Sequence, residues 1–236
     1  MTRAINREIL LVNTSNSRRC HVNIAARTWI AVLVPFVLIL CGGCSVPSLN
    51  TLATPETTIF EPSVVGDWVQ QSKSDDALRI RVAKGEGNLY DVVLNPEEAR
   101  EGDAHKKADG PRNLKLAGAL VKLGDHRFID LALSGDARKA LGDQYALLTI
   151  PVHQILKISI EKDRLTVWDL DDAWIKELLE KDPKAIEHSM VEDDSPVITA
   201  PTAAFQRFIA AHAADEKAWT DAQTYTRAKA AAPPKP

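Results

Sequence analysis

Histidines and carboxylates are the side chains of this chain that could bind a metal ion or transfer protons. Five histidines follow residue 44 and lie far apart in the sequence: His105, His126, His153, His188 and His212. No two of them have the i, i+2 or i+4 spacing at which neighbouring side chains share one ion. The sequence therefore predicts no metal site.

Three aspartates form a local cluster at Asp169, Asp171 and Asp172. The cluster could suggest calcium, but the glycine and the bidentate glutamate of a calcium-binding loop do not follow it. Aspartate is also favoured at the start of a helix, where its carboxylate accepts a backbone hydrogen bond. We interpret this cluster as a helix cap.

Several motifs of known enzyme classes are absent after residue 44. This part of the chain has no Gly-x-Ser-x-Gly elbow, no His-Glu-x-x-His pair and no glycine-rich phosphate loop. The sequence thus predicts no catalytic residue and no cofactor. A carboxylate pair that forms only on folding would still support catalysis, so a hydrolase of unrecognised type stays open.

The composition excludes several classes of protein. Of the 236 residues, 45% are hydrophobic and 26% are charged, which is typical of a globular domain and not of collagen, a disordered chain or a polytopic membrane protein. The 29 basic residues are balanced by 32 acidic residues, and no segment concentrates positive charge. Nucleic acid is therefore not an expected partner.

An apolar segment near the N-terminus has the pattern of an export signal. Arg18, Arg19 and Arg27 precede the apolar residues 29–40, and Cys41-Gly42-Gly43-Cys44 follows them. The uncharged run is shorter than the roughly 20 apolar residues that a spanning helix needs. An export signal is the favoured interpretation, and a permanent transmembrane helix is the alternative.

The end of this segment, Gly42-Gly43-Cys44, resembles the lipobox of bacterial lipoproteins. The sequence departs from that motif at Cys41, where the family usually has leucine. The resemblance implies that residues 1–43 are a signal peptide, that cleavage falls between Gly43 and Cys44, and that acylated Cys44 anchors the chain to the lipid bilayer of the cell envelope. Because Ser45 is not aspartate, it also implies the outer membrane if the source is Gram-negative.

Removal of residues 1–43 would leave Cys44 as the only cysteine of the mature chain. A disulfide within one mature chain is then impossible, so burial of apolar surface must hold the exported domain together. The removed segment also contains five arginines and only one glutamate. The mature chain is therefore more acidic, and acyl chains would have to bind it to the membrane.

Composition divides the remaining chain into three parts. Residues 44–63 combine the lipidated cysteine with three prolines and many serines and threonines, which predicts an extended tether. Residues 64–227 are predicted to form a single β domain. Residues 228–236 contain only alanine, lysine and proline, and we expect a disordered tail.

Period-two alternation of apolar residues dominates the predicted domain. It predicts an α+β fold in which about seven or eight antiparallel strands form a sheet or barrel. The expected strands lie near residues 66–70, 78–82, 90–94, 114–120, 128–133, 145–150, 152–160 and 165–170. Two helices toward the C-terminus are predicted at residues 173–180 and after Pro201, and a short strand at 197–199 precedes the second one.

Gly66-Asp67-Trp68, at the start of the first of these strands, resembles the Gly-x-Trp signature of lipocalins. The resemblance implies an antiparallel barrel that holds one apolar ligand, with Trp68 closing one end. In lipocalins an arginine from a late strand packs on this tryptophan, but the sequence does not identify that arginine here.

Candidate ligand-binding residues are Trp68, His153 and Trp168. His153 follows Pro151 inside an apolar strand and could project into the barrel, although a hydrogen-bonded sheet histidine is the alternative. Small residues favour a cavity over a filled interior, and they are Gly118, Ala117, Ala119 and Ala146.

Three functions follow from this reading of the sequence. The first is an envelope lipoprotein whose barrel binds a small apolar or amphipathic ligand. The second is a module that docks or inhibits another protein of the envelope. The third is the hydrolase of unrecognised type. An apolar cavity would favour the first function, and an exposed apolar patch beside a filled barrel would favour the second.

Overall fold

Alternating segments of the sequence become β-strands that are joined mostly by short turns. The structure is a computed structural model and describes residues 45–72, 77–96, 113–140, 150–191 and 195–228. The predictions for Gly43, Cys44 and the signal peptide concern residues outside these ranges. Nearly all of the predicted strand 145–150 and of the tail 228–236 also lies outside them.

The described residues form twelve strands and three α-helices, numbered here in chain order. The strands are β1 Pro47–Ser48, β2 Thr58–Ile59, β3 Gly66–Gln70, β4 Arg79–Lys84, β5 Leu89–Leu94, β6 Leu114–Leu123, β7 His126–Leu133, β8 His153–Glu161, β9 Arg164–Asp169, β10 His188–Val191, β11 Ser195–Ile198 and β12 Gln223–Arg227. The helices are α1 Gly135–Ala140, α2 Asp172–Lys181 and α3 Thr202–His212.

Eight strands close into an antiparallel barrel. Each strand from β3 to β9 pairs with the next one along the chain, and β12 pairs with both β9 and β3. This confirms the predicted fold class, a β-dominated α+β fold with a lipocalin-like barrel of about seven or eight strands. The two predicted C-terminal helices are α2 and α3.

Successive side chains of a strand point to opposite faces of the sheet, so every second residue faces the barrel interior. Paired residues on neighbouring strands point to the same side. The interior core contains the following buried side chains, contributed by the barrel strands and by the segment before β3: Val64, Trp68, Val82, Tyr90, Val92, Leu120, Ile129, Ile158, Leu165, Val167 and Tyr225.

A second core lies on the outside of strands β6 to β9. Side chains such as Val121, Phe128 and Ile155 leave the barrel on its outer face and pack against α2, α3 and the chain before β2. This wall is therefore buried on both faces, which explains why its strands contain adjacent apolar residues as well as alternating ones.

Helix α2 begins where the acidic cluster predicts it. The Asp171 carboxylate accepts a hydrogen bond from the backbone N–H of Trp174 at 2.8 Å, so Asp171 is the N-cap residue. Ile175 and Leu179 are buried against the outer core. The interpretation of the cluster as a helix cap is confirmed. Among the described residues, no helix is long and apolar enough to span a membrane.

The expectation that residues 44–63 form an extended tether is wrong for the described residues from 45 onward. Val46 is 3% exposed, Leu52 is completely buried, and both belong to the outer core. Strand β1 pairs with β8 and β11. The packed structure thus begins near Ser45 and not near Val64.

The buried carboxylate of Asp130 explains how such a polar segment can pack. One of its oxygens accepts hydrogen bonds from the Thr51 hydroxyl at 2.5 Å and from the Leu52 backbone N–H at 2.7 Å. The Ser48 hydroxyl bonds the backbone of Asn50. Serine and threonine therefore satisfy polar groups inside this segment instead of keeping it in solvent.

Replacement of one leucine of this segment tests its structural role. Leu52→Ala should lower the free energy of unfolding by about 2–5 kcal/mol, because it leaves a cavity in a packed core. Leu49→Ala is the control, since Leu49 is already 37% exposed and should lose clearly less. Urea unfolding of the two variants makes the comparison. Equally small losses would mean that the segment is a tether after all.

Candidate functional site

Trp68 closes one end of the barrel, which we call the closed end. Its side chain is completely buried, and its indole N–H donates to the Val64 carbonyl at 3.0 Å. The guanidinium of Arg227 lies 4.3 Å from the centroid of its ring. Arg227 also donates to the Val65 carbonyl at 2.7 Å and to the Ser63 carbonyl at 2.8 Å. Stacking and hydrogen bonds together fix the segment before β3 across this end.

The glycine of the Gly-x-Trp motif has a clear steric role. Gly66 has a φ of 148°, and a Cβ at this position would collide with the guanidinium of Arg227. Glycine therefore leaves the space through which Arg227 reaches Trp68. Sequence reasoning missed Arg227 because it predicted no strand at β12. The β-favouring residues Thr224, Tyr225 and Thr226 were the available signal.

The interior next to the closed end is filled with buried side chains. The hydroxyl of Tyr90 accepts a hydrogen bond from the Glu61 backbone N–H at 2.7 Å, and its ring stacks on Phe60. Burial raises the pKa of Tyr90, and burial raises the pKa of Tyr225 to about 12. These phenols are therefore uncharged at physiological pH, and aromatic side chains occupy this half of the barrel.

The opposite end of the barrel, which we call the open end, is lined on one side by aliphatic residues. The inward-facing side chains of strands β4 to β8 at this end are only partly buried, and they are Ile80, Leu94, Leu116, Leu131 and Leu156. Leu133, one inward position further toward the end of β7, is 39% exposed. These residues form an apolar arc with free surface.

Polar residues line the other side of the open end. By the strand register, the inward positions here are Gln154, Asp169, Gln223 and Gln70. The Gln154 amide donates to the Asp169 carboxylate at 2.8 Å, and the Gln70 amide donates to Gln223 at 3.3 Å. The open end therefore has an apolar arc and a polar arc that face each other across the barrel.

Small residues do not create a cavity where the sequence suggested one. A Cβ on Gly118 would lie 3.2 Å from Leu131 and 3.4 Å from both Ile129 and Val92, so these side chains already fill the adjacent space. Ala117 and Ala119 are on the outer face of β6, and Ala146 is outside the described residues. The free surface at the open end comes from exposed leucines instead.

His153 does not project into the barrel, which corrects one of the two expectations for it. It lies on the outer face of β8, and its Nδ1 is 2.6 Å from the carboxylate of Asp130. Asp130 itself is 3% exposed and holds the N-terminal segment. His153 is thus the hydrogen-bonded sheet histidine, and it stabilises the attachment of that segment.

Trp168 also lies on the outer face, on strand β9. The Lys157 ammonium is 5.2 Å from the centroid of Trp168 and 4.7 Å from that of Trp219, and it lies 3.4 Å from the Ala213 carbonyl. Burial lowers the pKa of Lys157. A shallow cavity of about 290 Å³ beside this contact is lined by Trp168, Lys157 and His126, among others.

The three candidate ligand-binding residues are therefore in three different places. Trp68 is inside the closed end, His153 is under the N-terminal segment, and Trp168 faces the outer cavity. The residues that sequence reasoning missed are the apolar and polar arcs of the open end. The alternation of the sequence predicts that these side chains point inward. It does not predict their exposure, which depends on how far the buried aromatic side chains extend from the closed end.

Comparison with known proteins does not assign the chain to a family. No protein-family model, no curated protein and no solved structure matches it. Within the described ranges, no three histidine, cysteine or acidic side chains lie close enough to hold a metal ion.

The closed end can be tested by removing the guanidinium of Arg227. Arg227→Met keeps an unbranched apolar stem but leaves two carbonyls without their donor, so the free energy of unfolding should fall by about 2–3 kcal/mol. Arg81→Met is the matched control, because the Arg81–Asp67 ion pair is about half exposed and worth less than about 1 kcal/mol. Thermal and urea unfolding measure both variants. Equal losses would show that Arg227 contributes no more than a surface pair.

Proposed function

We propose that this chain is a bacterial envelope lipoprotein whose barrel binds one small apolar or amphipathic ligand at its open end. The observation that carries the proposal is the contrast between the two ends. Trp68 and Arg227 seal the closed end, whereas inward-facing leucines at the open end remain partly exposed. Burying such leucines against a ligand would be favourable by about 25 cal/mol for each Å² removed from water.

The two arcs indicate the chemical class of the ligand. An alkyl or acyl chain would contact Leu94, Leu116 and Leu131 on the apolar arc. Its polar head would hydrogen-bond to the amides of Gln154 and Gln223 on the opposite side. An eight-stranded barrel has room for one small ligand at most, and the aromatic filling limits how deeply the ligand enters. A single-chain amphiphile fits both conditions.

The lipoprotein part of the proposal rests on Gly42-Gly43-Cys44 and its resemblance to a lipobox. Acylated Cys44 would be the anchor in the lipid bilayer, with the outer membrane as the destination if the source is Gram-negative. Because β1 begins at Pro47, the anchor would join the folded domain almost directly.

A second function, docking of another envelope protein, is favoured by two features: the barrel interior is filled near the closed end, and an edge strand exposes apolar side chains. Strand β10 is at the edge of the described sheet, and its Met190 and Val191 are 48% and 51% exposed. An exposed apolar edge strand can pair with a strand of another protein. No contact described above favours the hydrolase.

Acylation is tested by Cys44→Ser in cells that are fed radiolabelled palmitate. The wild-type protein should incorporate label and run at the mature size, because the Cys44 sulfur accepts the diacylglyceryl group before cleavage. The variant should stay unlabelled at the precursor size. Cys41→Ser is the control and should be processed normally. Equal labelling of wild type and Cys44→Ser would exclude this anchor.

Ligand binding is tested by titrating residues 44–236, expressed without the signal segment and with Cys44→Ser, with myristate and with an anilinonaphthalene fluorophore. We expect saturable one-to-one binding. Leu116→Glu should weaken it at least tenfold, since a carboxylate would enter the apolar arc. Lys115→Glu adds the same group on the outer face of the same strand and should leave affinity unchanged. Absence of saturation at micromolar concentration would reject the ligand site, and capture of a strand-donating protein by β10 would favour the second function.

A further inference from the structure

We propose that the open end of the barrel rests on the bilayer, so that its ligand is an acyl-chain amphiphile exchanged directly with the membrane. This inference rests on the proposed function, since it requires the anchor at Cys44 and the ligand site at the open end. It adds an orientation of the domain and a source for the ligand. Two independent features of the described residues carry it.

The first feature is the place where the chain enters the domain. Ser48 pairs with His153, the first residue of β8, and β8 begins at the open end. Ser45 forms a β-bridge with Asp171, which comes two residues after β9 ends at the same end of the barrel. Cys44 is the next residue before Ser45, and one residue spans at most about 3.8 Å between Cα atoms.

The segment by which the chain enters the domain, from Ser45 onward, is packed and not flexible. Val46 and Leu52 are buried in the outer core, and the Asp130 carboxylate holds the backbone N–H of Leu52. A flexible tether would allow the domain to tumble above the membrane, but a fixed entry point does not. An acylated Cys44 would therefore hold the part of the surface around Ser45 and the start of β8 against the lipid headgroups.

The second feature is an exposed apolar cluster on the rim of the open end, which we call the apolar rim. It comprises Leu49 at 37% exposure, Leu133 at 39%, Val152 at 44% and Ile150 at 70%. Leu49 follows Ser48, and Val152 precedes His153, the strand partner of Ser48. Four of the seven exposed large apolar side chains in the described ranges thus gather at one end of the molecule.

Cations lie beside the apolar rim, and the acidic residues at this end, Asp169, Asp171 and Asp172, already have hydrogen-bond or ion-pair partners within the fold. Helix α1 follows β7 at the open end and has Arg138 and Lys139 in its last turn, with Asp136 as its only acidic residue. Lys115, near the start of β6, is also exposed. Cations close to an anionic leaflet each contribute about 1 kcal/mol, which supports the apolar contact.

These features favour the bilayer over a protein partner as the occupant of the apolar rim. The proposed anchor would place lipid within a few Å of the entry point, so contact with lipid becomes an intramolecular event at high effective concentration. Leu133 belongs both to the apolar rim and to the apolar arc. An acyl chain could therefore pass from the bilayer into the barrel along a continuous apolar surface.

Site-specific labelling can test this orientation, because acylation consumes the only cysteine of the mature chain. Ile150→Cys and Val152→Cys place a nitrobenzoxadiazole probe on the apolar rim. Glu161→Cys, at the other end of β8, is the matched control. Each acylated protein is reconstituted into vesicles of phosphatidylethanolamine and phosphatidylglycerol that contain a brominated phospholipid. Quenching by bromolipid and by aqueous iodide is then measured.

We expect bromolipid to quench the probes at residues 150 and 152 several-fold more than the probe at 161, and iodide to show the opposite order. Equal iodide quenching at all three positions would overturn the orientation, as would equal bromolipid quenching. Flotation with the vesicles reports the anchor separately. A protein that does not float would refute the anchor and this inference together, whereas a floating protein with a water-exposed rim would refute the orientation alone.

Discussion

Closure of the barrel depends on β12, a strand of five residues that pairs with β3 on one side and β9 on the other. Without it, two strands would expose unpaired backbone groups, and the sheet would have two more edges. The last residue of the strand, Arg227, stacks on Trp68 and holds the carbonyls of Ser63 and Val65. Strand β12 therefore both closes the sheet into a barrel and seals one end of that barrel. The glycine at position 66 is the steric condition for both.

The strands β6 to β9 impose a second requirement, because large apolar side chains such as Val121, Phe128 and Ile155 also lie on their outer face. Helices α2 and α3 cover part of that surface, and residues 45–53, Ile186, Ile198 and Trp219 cover more of it. The covering segment is attached through Asp130, whose buried carboxylate needs several donors to offset its loss of hydration. One polar cluster thus attaches this segment without a disulfide, since residues 45–236 contain no cysteine. The same cluster fixes where the N-terminal anchor would leave the fold.

Local patterns were sufficient to predict most of the barrel. Alternation identified the hairpins and Asp171 identified the start of α2, whereas the closed end at Trp68 was implied by the resemblance of Gly66-Asp67-Trp68 to lipocalins. Three features could not be obtained in this way. Strand β12 is short and has only one apolar residue, Tyr225, that points inward. The polar composition of residues 45–62 resembles a linker, since sequence alone does not show that Asp130 and the backbone satisfy its hydroxyls. The direction of His153 was ambiguous because β8 is buried on both faces, so polarity does not distinguish inside from outside.

The two halves of the barrel interior have different roles: the half near the closed end stabilises the fold, and the half near the open end is the proposed binding site. Near the closed end, Trp68, Tyr90 and Leu120 are completely buried and give the domain the apolar burial that it needs without a disulfide. Near the open end, Leu116 and Leu131 keep part of their surface in water, which costs some of the stability available to a fully filled barrel. A ligand that covers these leucines would gain affinity from the burial of their apolar surface. Its binding would also stabilise the folded state through mass action. The core is thus incomplete at the open end, and the proposed acyl chain would complete it by covering the partly exposed leucines.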